Sequence, residues 1–261
     1  FYYGGAYADG EAFFEALARV LRSDAPTSPR DALLGDVLTH QAHLLLRRSE
    51  VARADQCLSE AEPLIEASRN VRIQAYYHWV RAYWNFWDMS DRSAQAQAAH
   101  TALALYQSIG DRWGEAFANH LIASNRLYTV DPPGEEAMHA AARSVAITEA
   151  TGDTFAYCAA LTVSVLLLHA DPTTLPARIA TLGQVLALER LGKNRIATAI
   201  GWLNLGTHLF WAGRLVDAAR AMEEGIAIQR EQGILHDTMG FDELSDVFFR
   251  LGMLADARAI S

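Results

Sequence analysis

The chain has 261 residues, 51% of them hydrophobic and 20% charged, which supports a sizeable core and argues against disorder. Its 22 basic and 31 acidic residues give a formal charge of -9; with no segregated basic surface visible, direct contact with nucleic acid is not expected. The two cysteines, Cys57 and Cys158, fall in different predicted hairpins at no metal-type spacing, which fits buried thiols in a reducing, cytoplasmic setting rather than a disulfide framework.

The first predicted element is a helix from about Gly10 to Leu21, the second half of a partial hairpin over 1–22. Ser23-Asp24-Ala25-Pro26-Thr27-Ser28-Pro29 follows, a linker-like segment too short to separate domains. Full helical hairpins are then expected over 31–69, 71–110, 112–151, 154–191 and 195–232, with a last partial one over 236–261. Because the pattern is unbroken, 1–261 is expected to be one repeat domain. The absence of an initiator Met before Phe1 and an ending inside a predicted helix suggest a fragment of a larger multidomain protein.

What sets this register is punctuation. Gly110-Asp111, Gly152-Asp153, Gly192-Lys193 and Gly233-Ile234 recur at intervals of 42, 40 and 41 residues, and a Gly after an apolar-periodic run supplies the left-handed residue that stops a helix. Within hairpins, Trp211-Ala212-Gly213-Arg214 and Arg250-Leu251-Gly252-Met253 serve as turns, as do Asp131-Pro132-Pro133-Gly134 and Asp171-Pro172-Thr173-Thr174. A small residue near the start of each second helix marks the period: Gly10, Ala54, Gln95, Ala137, Ala177, Ala218 and Ala257, with Gln95 the misfit. The apolar stretch Phe155 to Ala170 is shorter than the ~20 residues a membrane-spanning helix needs, and a buried repeat helix is expected there.

The most regular copy reads Trp202, Leu205, Gly206, Leu209, Ala218, Met222, Gly225, and its first four gaps return in Phe241, Leu244, Ser245, Phe248 and Ala257. Antiparallel helices joined by a short turn approach to about 8–10 Å only where facing residues are small, while large ones fill the space beside them. Self-similarity at such a period implies a stack of hairpins, each unable to bury its apolar face alone.

These residues resemble the tetratricopeptide repeat, with an aromatic, a Leu-Gly pair and a small residue in the second helix, although Tyr83 and Val165 stand where a small residue is usual and the period exceeds the ~34 residues of the standard form. The longer period, with phrases such as Leu105-Tyr106-Gln107-Ser108-Ile109-Gly110-Asp111, is similar to a bacterial subgroup. That subgroup forms the sensor of STAND-type signalling NTPases and of large transcription regulators related to the maltotriose-responsive activator. The resemblance implies an all-α fold, a right-handed α-α superhelix (TPR-like solenoid) of about six to seven helical hairpins. It further implies a non-enzymatic sensor that binds a protein, peptide or small-molecule ligand on its concave surface and regulates a fused signalling module. The alternative is a passive protein-protein assembly scaffold without a ligand pocket.

In this repeat class the first helix of each hairpin lines the concave side, an orientation that the resemblance supplies. Projecting the first helices gives His40, His43 and Arg47, then Tyr77, Arg81, Trp84 and Asp88, then His120, Ser124 and Tyr128, and later Asn204, Thr207 and Trp211, with Asp242 and Asp246 beyond. The segment Tyr76 to Trp87 is aromatic around its whole circumference, whereas a helix with one wet face is apolar along one stripe; either neighbouring hairpins or a ligand must cover the extra face. Arg47, Arg48 and Arg53 are the densest basic group, expected as a solvated helix end. Acidic residues gather late, in Asp237, Asp242, Glu243 and Asp246.

Little points to chemistry. His40 and His43 share a helical face without a third ligand nearby, so no metal is expected. Ser124 and His120 lack an orienting acid and an anion hole. No Walker-type phosphate loop occurs, and neither a catalytic residue, a cofactor nor a membrane partner is expected.

Overall fold

A computed structural model describes residues 6–25, 27–88, 91–127, 134–168, 173–192, 194–231 and 241–253, the side chains of 87, 88 and 241–243 excepted. Among the described residues all regular structure is helical. The elements are α1 (Tyr7–Ser23), α2 (Ser28–Arg47), α3 (Val51–Ala67), α4 (Val71–Asp88), α5 (Arg92–Ser108), α6 (Arg112–Ser124), α7 (Glu135–Thr151), α8 (Thr154–Leu167), α9 (Leu175–Leu191), α10 (Arg195–Trp211), α11 (Leu215–Glu231) and α12 (Phe241–Arg250). None is long and apolar enough to cross a membrane.

Helix ends explain why the period is held. Gly110, Gly152, Gly213 and Gly252 take left-handed φ of 66°, 70°, 74° and 76°, a conformation that costs glycine nothing. One or two residues after the stop, the chain caps the next first helix: Asp111 accepts from the Gly114 amide at 3.0 Å, Asp153 from Ala156 at 3.0 Å, and Asn194 from Ala197 at 3.1 Å. Two of the expected stops differ. Gly192 keeps a right-handed φ of -72°, so α9 ends without a left-handed residue, and Gly233 lies outside the described residues. At the α2–α3 turn Ser49, with φ 60°, does what glycine does elsewhere; its amide and that of Glu50 donate to Leu46 and Leu45.

Close approach falls where large and small residues alternate. A Cβ added at Gly206 would stand 2.6 Å from Met222 Cγ and 3.3 Å from the Ala218 carbonyl oxygen, and one at Gly225 would stand 2.9 Å from the Ala199 oxygen. At Gly114 it would enter the ring of Tyr106, at 2.1 Å. The markers Gly10, Ala54, Gln95, Ala137 and Ala218 are all buried. Ala177 is exposed instead, because the buried stripe of α9 runs Leu175, Arg178, Leu182, Val185, Leu186 and 177 lies off it; Ala257 is outside the described residues. Tyr83 and Val165, too large for the standard pattern, are buried nonetheless.

The described chain forms two compact units, one over Ala6–Leu167 and one from Leu168 onward, the boundary falling between α8 and α9. In the first unit α2 packs on α4, α4 on α6 and α6 on α8. The second helices meet their neighbouring first helices but approach each other less closely. The row of first helices is therefore the inner, tighter side of this unit. The second unit is built on the α9–α10, α10–α11 and α11–α12 contacts.

Candidate functional site on the inner row of the first unit

Three side chains of α2, spaced three and four apart, project from one stripe toward α4. The His40 ring stacks on Phe14 of α1 at 5.1 Å and tilts against Tyr76 at 4.5 Å. His43 Nδ1 shares a hydrogen bond of 2.8 Å with the Tyr76 hydroxyl, and its ring meets the edges of Trp79 at 4.9 Å and Tyr83 at 5.7 Å. Arg47 donates to the Tyr83 hydroxyl at 3.0 Å and to the Tyr7 hydroxyl at 3.3 Å, with its guanidinium 5.4 Å from the Tyr7 ring centroid.

The receiving face of α4 is Tyr76, Trp79, Tyr83 and Phe86, again at helical spacing. Trp79 stacks on Tyr76 at 5.9 Å and on Tyr83 at 5.6 Å, offset distances at which aromatic pairs attract. On the far side α6 supplies Phe117, edge-on to Trp79 at 5.8 Å, and Trp113, 4.3 Å from Phe117. His120 follows one turn later, and Ser124 donates to the His120 carbonyl at 2.7 Å, which ties it to its own helix.

Electrostatically this row is held positive by one group. Burial works against the Arg47 charge, but a guanidinium does not lose its proton in a protein, and the Tyr83 and Tyr7 oxygens accept its hydrogen bonds. Burial and then the Arg47 charge push His120 down to about 4. His43 is held well below the usual histidine range by burial, then Arg47, then His40. Burial also lowers His40, against a smaller pull from Asp36. At neutral pH the three imidazoles are therefore uncharged beside a cation.

Other expected site residues lie elsewhere. Tyr77, Arg81 and Trp84 face α3. Arg81 pairs with Asp55 at 2.9 Å and stacks on Trp84 at 4.6 Å, while Trp84 Nε1 donates to the Val51 carbonyl at 3.3 Å. Burial, then the charge of Glu62, pushes the Tyr77 hydroxyl up to about 12. These three cement one hairpin to the next and do not meet His43 or His120. The side chains of Asp88 and Asp242, and all of Tyr128 and Asp237, fall outside the described residues.

In the second unit Asn204 is buried, Thr207 donates to the Leu203 carbonyl at 3.1 Å, and Trp211 is 49% exposed. The projection passed over their neighbours. His208, fully buried, bonds through Nδ1 to the Asn204 carbonyl at 2.8 Å and lies 4.8 Å from Trp211, over which Arg178 sits at 5.8 Å. Asp246 pairs with Arg250 at 3.2 Å.

The basic group around residue 47 divides in a way that its spacing hides. Arg48 and Arg53 reach the buried carboxylate of Glu11, at 3.4 and 2.9 Å, and both pair with Glu50. Arg48 is half-buried and Arg53 exposed, both held in ion pairs, while Arg47 is drawn inward, so the group is only in part the solvated helix end expected. Cys57 and Cys158 form no disulfide. Among the described residues no three His, Cys, Asp or Glu side chains gather as a metal site would require.

No family model and no curated protein matches the sequence. Solved structures do. A Rap protein complexed with competence and sporulation factor matches with a TM-score of 0.78 at 13% identity, over 98% of this chain and 70% of that one. The apo form of RapI matches at 0.61 and 10% identity, over 97% and 69%. A signal transduction ATPase with numerous domains (STAND) from Pyrococcus horikoshii, which carries a tetratricopeptide repeat sensor, matches at 0.63 and 12% identity; 94% of this chain spans 39% of that protein. At these identities the likeness establishes architecture: the chain has an all-α, tetratricopeptide-like helical repeat fold.

Proposed function

We propose that this chain is a non-enzymatic sensor and interaction domain that binds a protein, peptide or small-molecule ligand on the inner row α2–α4–α6 and thereby regulates a signalling module joined to it. The observation that carries the reading is the half-buried cluster of His40, His43, Arg47, Tyr76 and His120, polar side chains gathered on the side of the unit where a packed core alone would place apolar ones. Support comes from two of the structural likenesses, one solved with a bound factor and one containing a repeat sensor. The signalling module and a cytoplasmic setting belong to the proposal, as does the absence of catalysis.

Screening a peptide and small-molecule library by thermal shift and intrinsic tryptophan fluorescence tests it. A hit should bind saturably, and Tyr76→Ala should weaken it at least tenfold with helical circular dichroism unchanged. Trp84→Ala, whose ring packs toward α3, should lower the melting temperature without that selective loss. Undiminished binding to Tyr76→Ala would move the site off this row, and partner binding through outer faces alone would favour a passive scaffold.

A further inference from the structure

The cluster carries one permanent positive charge, on Arg47, amid phenols and neutral imidazoles that both donate and accept. Among the described residues Arg47 donates to the phenols of Tyr83 and Tyr7 and pairs with no carboxylate. Its neighbours show that this is not for want of acid nearby: Glu11 and Glu50 are both taken by Arg48 and Arg53, in a chain with 31 acidic residues against 22 basic ones. Two further groups lack a partner, the first a donor and the second a donor or acceptor according to its tautomer. The buried Trp79 Nε1 and His120 Nδ1 have no hydrogen-bond partner among the described residues.

A half-buried guanidinium without a counter-charge is costly, because phenols solvate it but do not neutralise it. Unsatisfied buried donors are rare in folded proteins and call for an explanation. An anion would answer both deficits. Arg47 offers the planar fork that matches carboxylate and phosphate oxygens, and beside it along α4 run the rings of Tyr83, Trp79 and Tyr76, stacked in series.

Deepening the binding reading above and resting on it, we infer that Arg47 anchors an anion subsite: the inner row takes a carboxylate or phosphate group carried on an apolar or aromatic body. Arg47 holds the charge, Tyr7 and Tyr83 fix its orientation, and the neutral imidazoles of His43 and His120 stay close without adding charge.

Benzoate, phenyl phosphate and the neutral benzamide serve as probes on the whole chain, read by tryptophan quenching and thermal shift. At least one anion should quench saturably and raise the melting temperature, benzamide should not, and the preference between the two anions identifies the source chemistry. Arg47→Gln should weaken anion binding at least tenfold; Arg47→Lys, which keeps the charge and loses the fork, should weaken it less. Arg48→Gln, whose arginine already has Glu11 and Glu50, should leave it unchanged, and circular dichroism checks that each variant is folded. No saturable response to either anion, or equal losses in Arg47→Gln and Arg48→Gln, overturns the subsite. If benzamide matches benzoate and binding is lost in Tyr76→Ala but not in Arg47→Gln, the anion subsite fails while the binding reading stands.

Discussion

The first helices of the two units handle polar side chains in opposite ways. In α10 the buried side-chain hydrogen bonds stay within the helix, Thr207 at the Leu203 carbonyl and His208 Nδ1 at the Asn204 carbonyl, with His208 Nε2 left without a partner among the described residues, while Gly206 and Gly225 bring neighbouring backbones close. In α2 and α4 the polar groups reach across helices, from His43 to Tyr76 and from Arg47 to Tyr83 and Tyr7. The repeat nearest the general pattern spends its sequence on packing. The repeat that departs from it, with Tyr83 in place of a small residue, opens a row of cross-helix contacts. Degeneracy here marks a change of role, since a large polar aromatic both fills the gap and presents a hydroxyl.

The sharpest way to break this contrast is to overpack each unit. Gly225→Ala sets a methyl against the Ala199 carbonyl, backbone that cannot swing aside, and Ala218→Leu crowds the same hairpin; each should destabilise by about 1–3 kcal/mol in urea unfolding. Gly114→Ala should cost the first unit a similar amount, because the whole Tyr106 ring must move. A negligible effect at Gly225 would mean that the regular repeat is not organised by close approach.

Acid should weaken both units through buried imidazoles. Burial pushes His120 and His208 down to about 4, from an ordinary value of 6.5. Between these values the unfolded chain binds protons that the folded one does not, so stability falls as pH falls through that window and levels off below it. A loss of about 1–3 kcal/mol per group is expected, and His120→Gln should flatten the slope of melting temperature against pH. An unchanged slope would show that the inner row already accepts the charge.

Glu189 should act with the opposite sign, and in the second unit only. Burial pushes it up to about 8 from 4.5, with its oxygen lying where a Cβ on Gly201 would be, at 2.3 Å. Its carboxyl is protonated in the fold, so the stability it allows is complete below pH 4.5 and lost as pH rises toward 8. Glu189→Gln should raise the melting temperature at pH 8 more than at pH 5. Smallest of all, Arg22→Ala removes an exposed pair with Glu60 and should change stability by less than about 1 kcal/mol.

Much of the architecture could be read from residue order because its causes are local. Glycine at a left-handed stop, Asp or Asn as the next cap, and apolar residues at helical spacing act within a few positions of each other, so the helices fall where their signals stand. Ser49 escaped because a left-handed serine carries no mark that glycine does, and Ala177 misled because the stripe of α9 runs through its neighbour.

The site was legible only in part. His40, His43 and Arg47 could be grouped because one helix carries them, but the aromatic belt of α4 offers two stripes of equal appeal. Tyr77, Arg81 and Trp84 look as suited to a ligand as Tyr76, Trp79 and Tyr83. Residue order thus determined the helices, their period and the tetratricopeptide-like class, all consequences of short-range periodicity and capping. Tertiary structure alone decided which face of α4 meets α2, which arginine of three keeps its charge without a carboxylate, and that Tyr7 closes over it from a different helix. Those outcomes depend on the packing of helices tens of residues apart, which no local spacing encodes.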